Sequence, residues 1–278
     1  MAAENALLTI LVDKINNDTL VLPTLPAIAL KVRRTADDPD INLNAMADVI
    51  SQDPSLSARM IKISNSAYLG RAVKVTSAQQ AVTRIGLRQI KNISTALAME
   101  QLFVSKNEIV KRYMADIWAD TIDIVAHSLA VLQVHSKYTK SRALNLESMM
   151  LCALVHNIGA LPILTEAERN ADMFANPTFL DVAIDKMAGK VGASIMTEWG
   201  FDAEFVEVAQ SWNDLSVTTD AISYLDLVRL GAALSGKFDS HKEAVIAGAI
   251  EKGIVEDLAA LQGDEFDALC ASAKQIFL

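Results

Sequence analysis

The sequence predicts an all-α protein, a multi-helix bundle. Three observations carry that prediction. Apolar residues recur at helical spacing along most of the 278 residues, no stretch alternates apolar and polar side chains as a half-buried strand would, and capping residues stand where the helical runs begin and end.

The elements follow in order. In "LPTLPAIALKVRRTADD", Pro26 suits a first helical turn with Thr24 available as its cap, and the run is predicted to stop before Pro39. Asp53 followed by Pro54 reads as an N-cap and first helical position, opening "PSLSARMIKIS". Asn65 is predicted to end that helix in left-handed geometry, which asparagine tolerates. "SAQQAVTRIG" runs from a serine cap, Ser77, to a glycine stop, Gly86. Beyond it Leu87, Ile90, Ile93 and Leu97 form one apolar stripe. A long helix is predicted from Glu108 to about Ser136 and another from Glu147 to about Gly159. Further helical patterns cover roughly 181–199, 203–212, 220–236 and 242–252. No Gly/Ser-rich linker divides them, so one continuous body with a shared core is expected.

Hydrophobic residues make up 51% and charged residues 21%, a globular composition on a chain long enough to bury a substantial core. The net charge of −9 argues against a general nucleic-acid partner, because phosphate neutralisation needs a basic surface. The charge is uneven. Residues 1–115 carry 14 Lys+Arg and 10 Asp+Glu, a net of +4, which leaves −13 on residues 116–278. Cys152 and Cys270 are far apart, and reduced, buried thiols in the cytoplasm are expected. The N-terminus lacks a basic n-region, so no signal peptide is read there. The mostly apolar, uncharged stretch from Met149 to Leu164 is shorter than the roughly 20 apolar residues of a spanning helix. No membrane association is expected.

Two motifs invite chemistry. "GAALSGKF" at 231–238 has P-loop spacing, but Phe238 replaces the magnesium-binding hydroxyl and no strand leads into it. A helix C-terminus is the better reading. Among the four histidines, His127, His135 and His241 read as surface residues. His156, in "LCALVHNIGAL", has apolar neighbours, so its ring nitrogens need partners inside the fold.

"LPTLP" at 22–26, "DPSL" at 53–56, "ISNSAY" at 63–68 and "SAQQAVTRIGL" at 77–87 resemble, in order and spacing, the signatures of HDOD proteins. These are helical signalling modules related to the metal-dependent HD phosphohydrolases. "IWADTIDIVAHSLAV" and "LCALVHNIGALPIL" continue the likeness, which covers about residues 20–216. Residues 217–278 would then be C-terminal helices packed on the same HD-domain-like body.

The resemblance also implies what the site has become. The first HD histidine position is held by Asp120, the His-Asp pair by His156 and Asn157, and the later histidine by Ala188. Paired histidines of some relatives would fall near Ser211 and Trp212, and the last HD aspartate has no clear equivalent, Asp226 standing about a turn too early. Asp120 and His156 alone are too few for a metal centre, which normally takes three or four protein ligands. The reading is therefore a vestigial site with no metal and no cofactor, in a non-catalytic regulatory protein that binds another signalling protein. The alternative is a divergent HD phosphohydrolase acting on a nucleotide or phosphoester. Relatives often carry attached receiver or cyclic-dinucleotide domains; with no length left for one, the signal is expected to arrive through a partner. Arg33, Arg34, Arg84, Arg88 and Lys91 are the candidate interaction face, which a small anionic ligand would also suit.

Overall fold

The computed structural model describes residues 2–17, 19–66, 68–69, 73–139, 143–170 and 177–277. Helices α1 to α14 span Ala2–Asn16, Ala27–Ala36, Leu43–Ser51, Pro54–Ser64, Ala78–Ile85, Leu87–Ala98, Glu108–Tyr138, Leu146–Val155, Ala160–Arg169, Pro177–Glu198, Ala203–Ser211, Tyr224–Leu234, Lys242–Glu251 and Asp264–Lys274. Short 3-10 turns lie at Met99–Leu102 and Ala259–Leu261, and there is no strand among the described residues. The all-α prediction holds.

The helices group into two compact regions that do not follow a single cut in the chain. One takes Met1–Thr24, Gln101–Thr121 and Val155–Thr218; the other takes Leu25–Glu100, Ile122–Leu154 and Thr219–Leu278. The C-terminal helices thus belong with α2–α6 and the second half of α7. Met46, Ile50, Met60, Ile63, Ile90 and Ile93, all fully buried, supply much of this second region's core.

Local polar chemistry explains most helix ends. The Asp53 carboxylate accepts from Leu56 N at 2.9 Å, and Ser77 Oγ from Gln80 N at 3.2 Å, as their sequence context predicts. Gly86, at φ +89°, separates α5 from α6 in a backbone conformation that side chains disfavour. Three expectations need correcting. Pro26 itself is the N-cap of α2, without a side-chain bond from Thr24. Asn65 is right-handed, at φ −99° and ψ 0°, because its amide is needed elsewhere. It donates to Val75 O and accepts from Val75 N, both at 2.8 Å, pinning the returning loop as a strand partner would. Finally, the helix predicted over 147–159 ends at Val155, turns, and resumes as α9. Pro162 is tolerated there because it falls in the first turn of α9, where amide groups have no intrahelical partner.

Helices α1 and α3 lie outside the predicted segments, and α14 falls among the C-terminal helices expected over 217–278 without having been placed by pattern. A signal existed for α3: Asn42 Oδ1 caps it, accepting from Asn44 N and Ala45 N at 3.0 Å. In α14, three acids in the first turn and Lys274 in the last complement the helix dipole.

Candidate functional site

Asp120, His156, Asn157 and Ala188 all belong to the first region. A tight turn between α8 and α9 presents His156 and Asn157, with Ile158 N bonded to Val155 O and Ala160 N to Asn157 O. The turn sits directly on the backbone of α10. A Cβ on Gly159 would lie 1.9 Å from Ala188 O and 2.5 Å from Gly192 N, so only glycine fits. On its other face α10 meets α11 just as closely: a Cβ on Gly189 would lie 2.3 Å from Gln210 O. Gly159, with ordinary helical φ, is needed for approach and not for conformation.

This packing decides the surroundings of His156. Its ring, in a residue only 3% exposed, meets the Trp212 ring edge-on, with centroids 4.6 Å apart and planes at 87°. Tryptophan here supplies an apolar wall and an N–H donor but no metal ligand. Ala188, also buried, contributes a methyl group. Asp120 and Asn157 are half-buried. The turn thus brings Trp212 to His156 and the Ala188 backbone to Gly159.

The rest of this region is tied by polar bonds. Lys14 of α1 pairs with the buried Glu166 of α9, Lys190 donates to Asn16 at 3.0 Å, and Trp199 Nε1 donates to Pro23 O at 3.1 Å. Tyr113 donates to Asp181 at 3.0 Å; burial, then that bond, pushes its hydroxyl up to about 12.

Other candidate residues serve the second region's fold. Asp226 forms a capping box with Ser223, and the same carboxylate oxygen accepts from Lys252 Nζ at 2.8 Å and Thr219 Oγ1 at 2.9 Å. Gly231, of the P-loop lookalike, lies within α12, where a Cβ would stand 2.2 Å from Ser128 Oγ. His135, expected on the surface, is buried, with Nδ1 2.8 Å from Ile254 O; the distant partner explains why local pattern did not reveal it. His127 is half-buried, its Nδ1 2.7 Å from Asp123 O. Cys152 and Cys270 are buried thiols outside any disulfide, and burial pushes the Cys270 thiol up to about 11.

Of the five basic residues, Arg84 donates to the carbonyls of Ser64 and Val73, and Lys91 pairs with Asp37. Arg33 is half-buried; Arg34 and Arg88 are exposed. The break at Gly86 places Arg84 at the end of α5 and Arg88 at the start of α6, so they do not share one continuous helix.

The HDOD domain model matches residues 22–215, well over half of the chain. This chain belongs to the HDOD domain family. Along the full length of both chains, this HDOD protein is 39% identical, at a TM-score of 0.95, to a crystal structure from Shewanella amazonensis SB2B provisionally named a metal-dependent phosphohydrolase. An HDOD domain protein of unknown function from Geobacter sulfurreducens shares the fold, at 18% identity and a TM-score of 0.60, with 93% of this chain and 94% of that one covered. A curated relative, an uncharacterized protein of Treponema pallidum (strain Nichols), is 26% identical over 207 residues, 70% of this chain. The chain spans 38% of that relative's length.

Proposed function

We propose that this HDOD protein is a non-catalytic regulatory module of cytoplasmic signal transduction that works as a protein-binding platform. The observation that carries the reading is the chemistry of the residues at the HD positions. A catalytic divalent ion needs several imidazoles and carboxylates to offset its dehydration and to lower the pKa of a bound water. Here His156 faces an indole, Asn157 offers a neutral amide, Ala188 offers a methyl group, and Asp226 is engaged in a cap and an ion pair. No group of three or more His, Cys, Asp or Glu side chains suited to a metal converges among the described residues. These residues do not fit the HD ion. For a partner, Arg34 and Arg88 remain exposed, whereas Arg84 and Lys91 are engaged within the fold.

The likeness to a chain provisionally named a phosphohydrolase favours a second reading, a divergent enzyme acting on a phosphoester. One experiment separates the two. Purified protein is equilibrated with Mn(II) and Zn(II), bound metal is counted, and bis(p-nitrophenyl) phosphate is offered as a phosphodiester probe. The platform reading expects metal well below one ion per chain and no turnover above buffer. A stoichiometric ion with turnover that a chelator abolishes establishes the enzyme.

A further inference from the structure

In the second region, the end of α7 and the segment 256–269 enclose a groove of about 340 Å³. That is the lower end of the roughly 300–1,000 Å³ typical of ligand pockets, room for one or two side chains. Val134, Tyr138, Phe266 and Leu269 give it an apolar lining, with Tyr138 itself 49% exposed. Its charged lining is Glu256, Glu265 and Lys137.

The segment 256–267 that forms one side of it carries charge of one sign. From Glu256 to Asp267 the chain carries five acids, Glu256, Asp257, Asp264, Glu265 and Asp267, and no lysine or arginine. All five are exposed. Lys137, the one cation lining the groove among the described residues, is paired with Glu265, and both side chains are open to water, at 57% and 80%. Such a pair contributes little and exchanges readily. A guanidinium could take its place, bonding the carboxylate through two N–H groups and stacking on Tyr138. Phosphates and acidic lipid headgroups would be repelled.

We propose that this groove docks a basic amphipathic segment of a partner protein, with an arginine facing Glu256 and Glu265 and an apolar side chain against Val134, Phe266 and Leu269. The inference rests on the binding-platform reading and names the chemistry of its partner. The two fail separately: metal-dependent turnover removes the platform reading, whereas the binding experiment below addresses the groove alone.

The test titrates the full chain into a fluorescein-labelled peptide, GRRALLRRG, at low salt. Saturable binding that falls with added salt is expected, since exposed charges are screened within about 8 Å at physiological ionic strength. Glu256→Lys with Glu265→Lys should weaken it about tenfold or more, because like charges across an interface repel. Ala259→Trp, an exposed lining position, should weaken it by filling the groove. Asp48→Lys with Glu251→Lys makes the same change in net charge at exposed positions outside the lining and, compared at about 0.15 M salt where the Debye length is about 8 Å, should leave affinity within about twofold if the charge acts locally. Melting curves check that each variant is folded.

Four outcomes overturn the proposal: no saturable binding, equal binding of GEEALLEEG, equal loss in the Asp48/Glu251 control, or full affinity in Ala259→Trp. So does sedimentation that shows a dimer dissolved by the Glu256/Glu265 substitutions, since the occupant is then a second copy of this chain.

Discussion

Around Gly159 the chain is held by backbone pressed on backbone, whereas around Asn65 and Arg84 it is held by side chains that reach for carbonyls. In the first place α10 and the His156 turn meet because a side chain has been left out. In the second, an amide and a guanidinium pin the loop returning from α4 by bonding Val75, Ser64 and Val73. The difference lies in how each contact responds to change. A glycine crossing has no flexible atom to yield, so one methyl group disrupts it. A polar clamp loses its bonds one at a time.

Gly159→Ala should therefore have the largest effect. Its added methyl would meet Ala188 O and Gly192 N, both fixed in a helix, so overpacking should destabilise by about 3 kcal/mol or more. Gly248→Ala is the matching control. Gly248 lies in α13 with open space around it, and alanine there should stabilise by roughly 0.5–1 kcal/mol. Urea unfolding measures both, and equal effects of one sign would break the comparison.

The clamp should give an intermediate and graded response. Asn65→Ala leaves the N–H and C=O of Val75, a residue 3% exposed, without their partner and should destabilise by about 2–3 kcal/mol. Asn65→Asp keeps an acceptor for Val75 N but sets a carboxylate against Val75 O; a smaller loss is expected, and it should shrink in acid as that carboxyl protonates and regains a donor. If the two variants melt alike at every pH, the clamp is not what holds the loop.

What could be read from the sequence divides along the same line. Asp53, Ser77 and Gly86 were legible because each acts on backbone within three or four residues, where propensity and geometry are local. The Asn65–Val75 clamp spans ten residues, the Asp226–Lys252 pair 26, and the His135–Ile254 contact 119, so no local pattern announces them. Gly159 was visible as a glycine after His156, but its need for the Ala188 backbone appears only once α10 is placed. At the site, the family resemblance set the paired histidines of some relatives near Ser211 and Trp212, but the contact of the Trp212 ring with His156 appears only once the end of α11 is placed. The acid-walled groove was half visible, as the strong negative charge of the chain's back half; the apolar lining came from packing.

Arg84→Ala and Arg88→Ala carry the comparison to two arginines four residues apart. Arg84 holds two carbonyls, and its loss should destabilise by about 1–2 kcal/mol. Arg88 is exposed, and its removal should change stability by no more than about 0.5 kcal/mol. If Arg88 belongs to an interaction face, its variant instead loses salt-sensitive partner binding at unchanged stability. Matching losses of stability would show both arginines serving the fold.

The smallest expected effect is at Asn157, and it returns to the glycine crossing. Asn157→Asp restores the carboxylate of an HD pair at a half-buried position of the turn, where an added charge can remain hydrated. Even so, phosphodiester turnover should stay at background with Mn(II) present. His156 would still face the Trp212 ring, and Ala188 would still be a buried methyl group on the stretch of α10 that the turn rests against. Two carboxylates and one imidazole would then be the most the site could offer, with Ala188 still leaving the HD ligand set incomplete. Measurable hydrolysis by Asn157→Asp alone, lost again on adding a chelator, would show that one missing charge was all that kept the site silent.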